Sequence, residues 1–319
     1  MEQTYSDNIG IAAVYTVTLN PALDYFLSLN RLKADEICRA DAAELRCGGK
    51  GVNVSMILSR LGVANTALGF VAGKTGVTFT ELLKNEGIEQ HFIRLKNGQT
   101  RINVKISGQK EYAINAPGPC AGKRDLTRLI SRLRRAQKGD FVVLSGAPAK
   151  GLDENVYAEI MRRCKDRELR FVVDASGAYL KNALAHRPYL TKPNLPELAE
   201  YAGTELKSEE QILKAARLMQ EEGAQNVLVT LGAQGAMLLD DRGKTVLMPA
   251  VKKKIRSTVG CGDSMIAGFL AGIIRGCGRE DALVLGTACA AATAAGGKIA
   301  DADTIRNYCE MIKNDRILK

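Results

Sequence analysis

The sequence predicts an α/β fold, with a doubly wound, mostly parallel sheet and helices on both faces. Apolar, β-rich runs alternate with helical patterns along the chain, and several runs are apolar almost throughout, as in strands buried on both faces. The predicted strands are VYTVTL (14–19), TALGFV (66–71), FVVLSG (141–146), RFVVDAS (170–176), YLTKPN (189–194) and NVLVTLG (226–232). Predicted helices between and around them cover 52–62, 124–138, 155–168 and 209–223.

Two segments interrupt this alternation. Residues 24–47 contain the strand-like YFLSL and a charged continuation without a clear helical pattern. Residues 100–115 alternate with period two around a turn at Gly108-Gln109, which is typical of a β-hairpin. We expect a single domain over residues 1–319, with these two segments forming a small β-sheet lid.

Composition narrows the classes of function. The 319 residues include eight cysteines without a CxxC pair and only two histidines, which argues against a zinc site and favours a reducing, cytoplasmic location. Arg275 interrupts the apolar run after Asp263, so no membrane span is expected. The net charge of +10 suggests anionic ligands. The arginine-rich segment 124–138 lacks interleaved aromatic residues, so a solvated helix is favoured over a nucleic-acid surface.

Two early motifs are candidates for binding a polar ligand. In CGGKGVNVS, Gly48, Gly49 and Gly51 surround Lys50 directly before a helix, an arrangement that favours an anion. The alternative is a glycine-rich turn with a lysine in solvent. TLNPALD places Asp24 after a buried strand, where α/β sheets bind ligands, although the same pattern is a plain turn signal.

KPNLPEL places Asn194 and Glu197 three residues apart after a predicted strand. Their oxygen atoms could face one Mg²⁺ ion, through water. The alternative is a helix start, with Asn194 as N-cap and Glu197 as its capping-box partner. The two roles are compatible.

The segment GCGDSMIAGF combines a possible anion hole with a carboxylate. N–H groups of residues 260–263 can converge where a helix begins, and Asp263 would stand within reach of the reacting group. In phosphoryl transfer, such an aspartate accepts the proton of the attacking hydroxyl. The alternative makes Asp263 an N-cap and the two glycines, Gly260 and Gly262, a turn.

These motifs together resemble the ribokinase-like sugar kinases, over nearly the whole chain from about Val14. The motifs in family order are TLNPALD (18–24), GGKGVNV (48–54), DASG (174–177), KPNLPEL (192–198), VTLGAQGA (229–236) and STVGCGDSMIAGF (257–269). TLNPALD, TRINVKI (100–106) and INAPGP (114–119) are most similar to the 1-phosphofructokinase branch, with tagatose-6-phosphate kinases as a sister branch.

The resemblance implies roles for individual residues. Asp263 would be the catalytic base, and the amides of Gly260, Cys261 and Gly262 would form the anion hole. The implied substrate-binding residues are Asp24, Gly48, Gly49 and Asn53 for the sugar, Lys50 and Arg101 for its phosphate, and Ser145 in the loop beside it. The implied ATP-binding residues are Lys192, Asn194, Thr230, Gly232 and Gly235, with Asn194 and Glu197 organising Mg²⁺.

The implied activity is ATP- and Mg²⁺-dependent phosphorylation of a phosphorylated ketohexose, D-fructose 1-phosphate above all. In relatives the lid often pairs subunits, which implies a homodimer. The loop SGAPAKG (145–151) departs from the family's SGSLPxG, and Ala113 replaces a usual glutamate. These departures leave a second alternative, a sugar-phosphate-binding regulator with weak catalysis. We expect Cys261 to act as a small apolar filler rather than as a redox switch.

Overall fold

A computed structural model describes residues 12–32, 35–109 and 111–317 of the chain. The strands are β1 (Val14–Thr18), β2 (Ala22–Ser28), β3 (Ala42–Gly48), β4 (Asn65–Ala72), β5 (Glu89–Gln90), β6 (Ile93–Leu95), β7 (Arg101–Ser107), β8 (Tyr112–Ile114), β9 (Phe141–Ser145), β10 (Arg170–Asp174), β11 (Leu190–Thr191), β12 (Asn226–Thr230), β13 (Ala236–Leu239) and β14 (Thr245–Met248). The helices are α1 (Lys50–Arg60), α2 (Gly73–Asn85), α3 (Lys123–Leu133), α4 (Val156–Arg163), α5 (Gly177–Leu184), α6 (Leu195–Ala202), α7 (Glu209–Glu221), α8 (Cys261–Ile274), α9 (Arg279–Gly296) and α10 (Ala302–Ile317).

A large, mostly parallel sheet runs through the molecule in the order β14-β13-β12-β11-β10-β9-β1-β4-β5, with β6 also paired to β4. The strands from β5 to β12 are parallel along this order, and β13 and β14 add an antiparallel edge. All six predicted strands are present. β11 is shorter than predicted, because Pro193 has no N–H to donate and Asn194 already caps the next helix.

Helices cover both faces of the sheet, as the alternation predicts. Alternate residues of β9 show the two layers. Val142 and Leu144 pack in a core with helices α3 to α7, whereas Phe141 and Val143 pack in a second core with α1, α8, α9 and α10. The predicted helix 155–168 ends early at Arg163 and continues as a short 3₁₀ turn over Lys165–Arg167.

The two segments that interrupt the alternation form a separate four-stranded sheet, in the order β3-β2-β7-β8. Its pairing places apolar side chains on one face: Leu23, Tyr25, Leu27, Leu45, Ile102, Val104, Ile106, Tyr112 and Ile114. The other face carries polar residues, among them Asp24, Arg46 and Asn103. The base of the small sheet is buried, with Leu23 and Cys47 packed in one cluster with Phe79 of α2.

The parallel strands end together at one edge of the main sheet, where open α/β sheets bind their ligands. Thr18, Ser145 and Asp174 are register partners at the ends of β1, β9 and β10, so their side chains share one face of the sheet. Thr191 and Thr230 end β11 and β12 at the same edge. None of the described helices has the length and apolar character that crossing a membrane requires.

Candidate active site

Asp263 lies in the first turn of α8, at the carboxyl edge of the main sheet. Gly260 begins this turn in the left-handed region, with φ at 79°. A Cβ atom there would lie 2.7 Å from the Cδ1 atom of Ile299, so both the backbone conformation and the space require glycine. The Asp263 carboxylate is only 6% exposed, and Asn53 of α1 donates a 2.8 Å hydrogen bond to its Oδ2 atom.

The environment of Asp263 makes its carboxyl more basic. Burial raises its pKa to about 6, and the nearby Asp174 carboxylate acts in the same direction. The Asn53 hydrogen bond and the ammonium groups of Lys50 and Lys192 oppose the rise. At neutral pH the carboxyl is therefore ionised and able to accept a proton.

The start of α8 presents backbone N–H groups beside this carboxylate. Among the described residues, no acceptor pairs with the N–H groups of Gly260, Gly262 and Asp263, whereas Cys261 donates a long, 3.3 Å bond to Thr258. The geometry thus leaves Gly260 and Gly262 of the predicted anion hole available, while the Cys261 amide is already paired. The Cys261 thiol contacts the Ser257 carbonyl at 3.7 Å. Burial raises its pKa to about 11, so it stays a neutral thiol.

Asp174, at the end of β10, organises the two lysines of the site. Its Oδ1 atom lies 3.2 Å from the Lys50 ammonium and 3.4 Å from that of Lys192. Burial alone would raise the pKa of Asp174, but the two ammonium groups outweigh burial and lower it. Burial would likewise lower the pKa of Lys50, but the carboxylates of Asp174, Asp263 and Glu197 raise it. Lys50 is thus an ion-paired lysine of the site rather than a lysine free in solvent.

Close contacts explain the glycines around Lys50. A Cβ atom on Gly48 would lie 2.2 Å from Oδ2 of Asp24, and one on Gly51 would lie 2.5 Å from Oγ1 of Thr18. Gly49 precedes α1 with φ at 129°, a conformation that other residues rarely adopt. The same added Cβ atom on Gly51 would lie 3.1 Å from Oγ of Ser145. The hydroxyls of Thr18 and Ser145 are buried without a hydrogen-bond partner among the described residues.

Asp24 lies on the polar face of the small sheet. Asn103, opposite it on β7, donates a 2.7 Å hydrogen bond to Oδ1 of Asp24 and accepts one from the Ala116 amide at 3.2 Å. Burial raises the pKa of Asp24 despite this bond. Arg101 is half-buried and donates to the Asn20 carbonyl at 3.0 Å. The positive charge of Arg101 opposes the effect of burial on the pKa of Asp24. Asn103 connects the small sheet to the loop after β8.

Asn194 and Glu197 form the capping box of α6. The Asn194 side chain accepts from the Glu197 amide at 2.8 Å, and Oε2 of Glu197 accepts from the Asn194 amide at 2.8 Å. The capping alternative is therefore present in the structure. Only one Glu197 carboxylate oxygen is used by this cap, and the negative charge of Glu197 contributes to the raised pKa of Lys50.

The remaining predicted ATP residues lie at the end of β12. Thr230 pairs with Asn194 in an isolated bridge, which brings this strand end to the capping box. Gly232 and Gly235 bound a 3₁₀ turn, both with positive φ, at 58° and 105°. A Cβ on Gly235 would lie 1.9 Å from the Met248 carbonyl, whereas the space beside Gly232 is open.

The family of the chain follows from its match to known proteins. The model of the pfkB family of carbohydrate kinases matches residues 17–302. The chain belongs to the PfkB family. This result confirms the resemblance to ribokinase-like sugar kinases, and the family's activity implies ATP as phosphoryl donor.

Individual relatives match over nearly their whole length. The 1-phosphofructokinase of Bacillus subtilis (strain 168) is 36% identical over 304 residues, covering 95% of this chain and 100% of the relative. The D-tagatose-1-phosphate kinase of Bacillus licheniformis is 33% identical, covering 94% and 98%. A solved structure of a putative phosphofructokinase from Staphylococcus aureus superposes with a TM-score of 0.83 at 35% identity, covering 93% and 96%. This PfkB chain is therefore a carbohydrate kinase with relatives that act on sugar phosphates.

The sequence predictions include the DASG motif but give Asp174 no role in the site. They also leave out Asn103 and Thr18 as residues of the site. An acidic residue at the end of an otherwise apolar strand was a usable signal for Asp174. Asp24, expected just after a buried strand, lies instead within β2 of the small sheet. Asn103 had no such signal, because its role depends on the pairing of β7 with β2, which joins residues 79 positions apart.

Proposed function

We propose that this PfkB kinase transfers the γ-phosphoryl group of ATP to the C6 hydroxyl of D-fructose 1-phosphate, giving D-fructose 1,6-bisphosphate and ADP. The observation that carries the proposal is Asp263, a buried carboxylate at a helix N-terminus beside Lys50 and Lys192. A base, free N–H donors and two cations within one cluster are what phosphoryl transfer requires.

In this mechanism Asp263 accepts the proton of the attacking hydroxyl. The Asn53 hydrogen bond holds its carboxylate in place, and the raised pKa makes the carboxylate a better proton acceptor while leaving it ionised above about pH 6. The free N–H groups of Gly260 and Gly262 would donate to the transferred phosphoryl oxygens. The ammonium groups of Lys50 and Lys192 would offset the negative charge that gathers there.

On the substrate side, Asp24 would accept hydrogen bonds from sugar hydroxyls, with Asn53, Gly48 and Gly49 beside it. The Asn103 hydrogen bond supports this role, since it fixes the Asp24 carboxylate. Lys50 and Arg101 supply positive charge for the sugar's own phosphate, and a planar guanidinium suits two phosphate oxygens at once. Ser145 has a buried hydroxyl without a partner among the described residues and could bind only after a small rearrangement.

ATP would lie along the ends of β11 and β12, next to Lys192, Asn194, Thr230, Gly232 and Gly235. The donor set also fits Mg²⁺ held through water, because Glu197 keeps one carboxylate oxygen outside its capping bond. The ion would be held mainly by nucleotide phosphates and water. Bound there, Mg²⁺ would supply charge neutralisation of the phosphates.

A coupled assay of ADP formation tests the proposal. We expect kcat/KM to be highest with fructose 1-phosphate when it is compared with fructose 6-phosphate, tagatose 6-phosphate and tagatose 1-phosphate. A preference for either tagatose phosphate would change the proposed substrate but leave the proposed phosphoryl transfer unchanged. The tagatose 1-phosphate arm is needed because a relative is named for that substrate. Absence of ADP formation with all four would favour the regulator alternative and overturn the proposal.

We also propose that the small sheet is a lid that pairs two subunits. Its apolar face leaves Tyr25, Ile102, Tyr112 and Ile114 exposed, with Ile114 at 59%. A second copy of the same face would bury them symmetrically, as closed dimers do. The eight cysteines are all free thiols, which supports the proposed cytoplasmic location.

A further inference from the structure

Asp174 differs from the other polar groups at the strand ends. Its side chain is 1% exposed, and both of its charged contacts use the same atom, Oδ1. The other oxygen, Oδ2, is buried without a hydrogen-bond partner among the described residues. A buried carboxylate with one oxygen unpaired costs stability, so a role beyond packing is expected for it.

The two lysines reach Asp174 from different elements. Lys50 is the first residue of α1, and Lys192 follows β11. A Cβ atom on Gly262 would lie 3.0 Å from the Lys192 ammonium nitrogen, so this ammonium lies directly beside the first turn of α8. One carboxylate oxygen thereby holds two cations, and one of them lies directly beside the N–H groups that would receive a phosphoryl group.

We propose that Asp174 is a positioning residue of the phosphoryl-transfer site: its Oδ1 atom holds the Lys50 and Lys192 ammonium groups in place beside Asp263 and the start of α8. The inference rests on the proposed function of Asp263 as general base. Asp174 touches neither substrate in this role and acts only through the three charged groups around it.

The charges that face Asp263 come from several elements. Asp174 of β10 raises the pKa of Asp263 after burial, and Lys50 and Lys192 lower it, as does the Asn53 hydrogen bond. The Cys261 thiol is also close but neutral. Removal of the Asp174 charge therefore lowers the pKa of Asp263, because its opposing effect disappears while both ammonium groups remain.

The test compares Asp174→Asn, which keeps the shape of the side chain, with the parent enzyme. We expect kcat/KM on the plateau to fall at least ~10-fold, since displaced charges weaken transition-state stabilisation. We also expect the acid limb of the kcat/KM profile to move from about pH 6 to lower pH. Lys50→Gln and Lys192→Gln should move it to higher pH, the opposite direction, and they serve if Asp174→Asn does not fold.

Asp140→Asn is the matched control, because Asp140 is also a buried carboxylate but lies before β9, at the opposite edge of the sheet. It accepts hydrogen bonds from the Ala13 and Gln137 amides, so the variant should lose stability without moving the acid limb. An acid limb that stays in place in Asp174→Asn would overturn the proposal. So would an activity loss reversed by excess MgCl₂ alone, which would make Asp174 a residue of the metal site.

A measurement without substrate separates this inference from the proposed function. Because the folded-state pKa of Asp263 is raised, its contribution to stability is lost as pH rises from about 4 to about 6. Comparing urea unfolding of Asp263→Asn with the parent across this range measures that loss. We expect a smaller loss in the Asp174→Asn background; an equal loss would overturn the inference even if the kinase activity is confirmed. If Asp263→Ala keeps full turnover, the proposed function fails while this unfolding result stands.

Discussion

Asn53 donates a 2.8 Å hydrogen bond to Asp263, a contact between residues 210 positions apart in the sequence. It joins the helix that follows the glycine-lysine motif to the helix that begins with the GCGD motif. The two motifs that the sequence marks as anion sites thus form one site.

Asp263→Ala should lower kcat at least ~10³-fold, because removal of a general base in phosphoryl transfer also removes the group that orients the hydroxyl. ATP binding should persist, since the variant keeps the N–H groups of α8 and both lysines. Steady-state kinetics and nucleotide titration measure the two effects. Turnover within about tenfold of the parent would exclude Asp263 as the base.

The pH profile should report the raised pKa of Asp263. A general base must be ionised, so kcat/KM should fall as pH decreases through about 6. Asn53→Ala removes a hydrogen bond that lowers this pKa, and its acid limb should lie at higher pH than that of the parent. An acid limb near pH 4 in the parent would contradict the burial effect.

Glu197→Gln separates the helix cap from the proposed metal role. The amide oxygen of glutamine can still accept from Asn194, as Gln211 does for the Ser208 amide at the start of α7. Stability should therefore change by less than about 0.5 kcal/mol. The Mg²⁺ concentration for half-maximal activity should rise ~10-fold or more, as for other groups that orient metal-bound water.

Asn194→Ala is the contrasting control, with an expected loss of ~1 kcal/mol in the free energy of unfolding. An unchanged Mg²⁺ requirement in Glu197→Gln would leave Glu197 with a capping role only.

Gly51→Ala should destabilise the protein by ~1–3 kcal/mol, since the new methyl group would lie 2.5 Å from Oγ1 of Thr18. Gly296→Ala is a matched control in α9, where no atom lies within 4 Å of the added methyl group, and it should stabilise by up to ~1 kcal/mol. Thermal denaturation measures both. Restoration of stability by adding Thr18→Ala to Gly51→Ala would identify the clash as the cause, and equal effects of the two glycine variants would contradict it.

Ile114→Lys should convert the proposed dimer to a monomer, because a charge buried in an apolar interface has no partner. Sedimentation velocity at several concentrations measures the change. Leu247→Lys is the control: Leu247 is 46% exposed on the edge strand β14, outside the small sheet, and its variant should keep the parent's oligomeric state. A parent protein that sediments as a monomer would rule out the proposed dimer formed through the small sheet.

The sequence predicted six strands of the main sheet and the glycine-rich helix starts of the site, but not the short strands β5 and β6 or the antiparallel edge strands β13 and β14. Strands buried on both faces have apolar runs, and glycine-rich segments before helices mark α1 and α8. The sequence could not predict the ion-pair partner of Lys50, because Lys50 and Asp174 are 124 positions apart and no local pattern pairs them. The Cys261 amide is a similar case. A helix start predicts free N–H groups. The hydrogen bond from the Cys261 amide to the Thr258 carbonyl depends instead on the path of the chain before α8.

Thr18, Ser145 and Asp174 are direct neighbours across three parallel strands, and this alignment has a consequence for how the enzyme can be damaged. A slip of β9 by one residue would move Ser145 out of the row and turn the next side chain to the opposite layer. The alignment is kept by residues such as Val142 and Leu144, which contact no reactant and lie wholly in the core. If variants of these hydrophobic residues lose activity, the first cause to test is therefore a shift in the register of the strands.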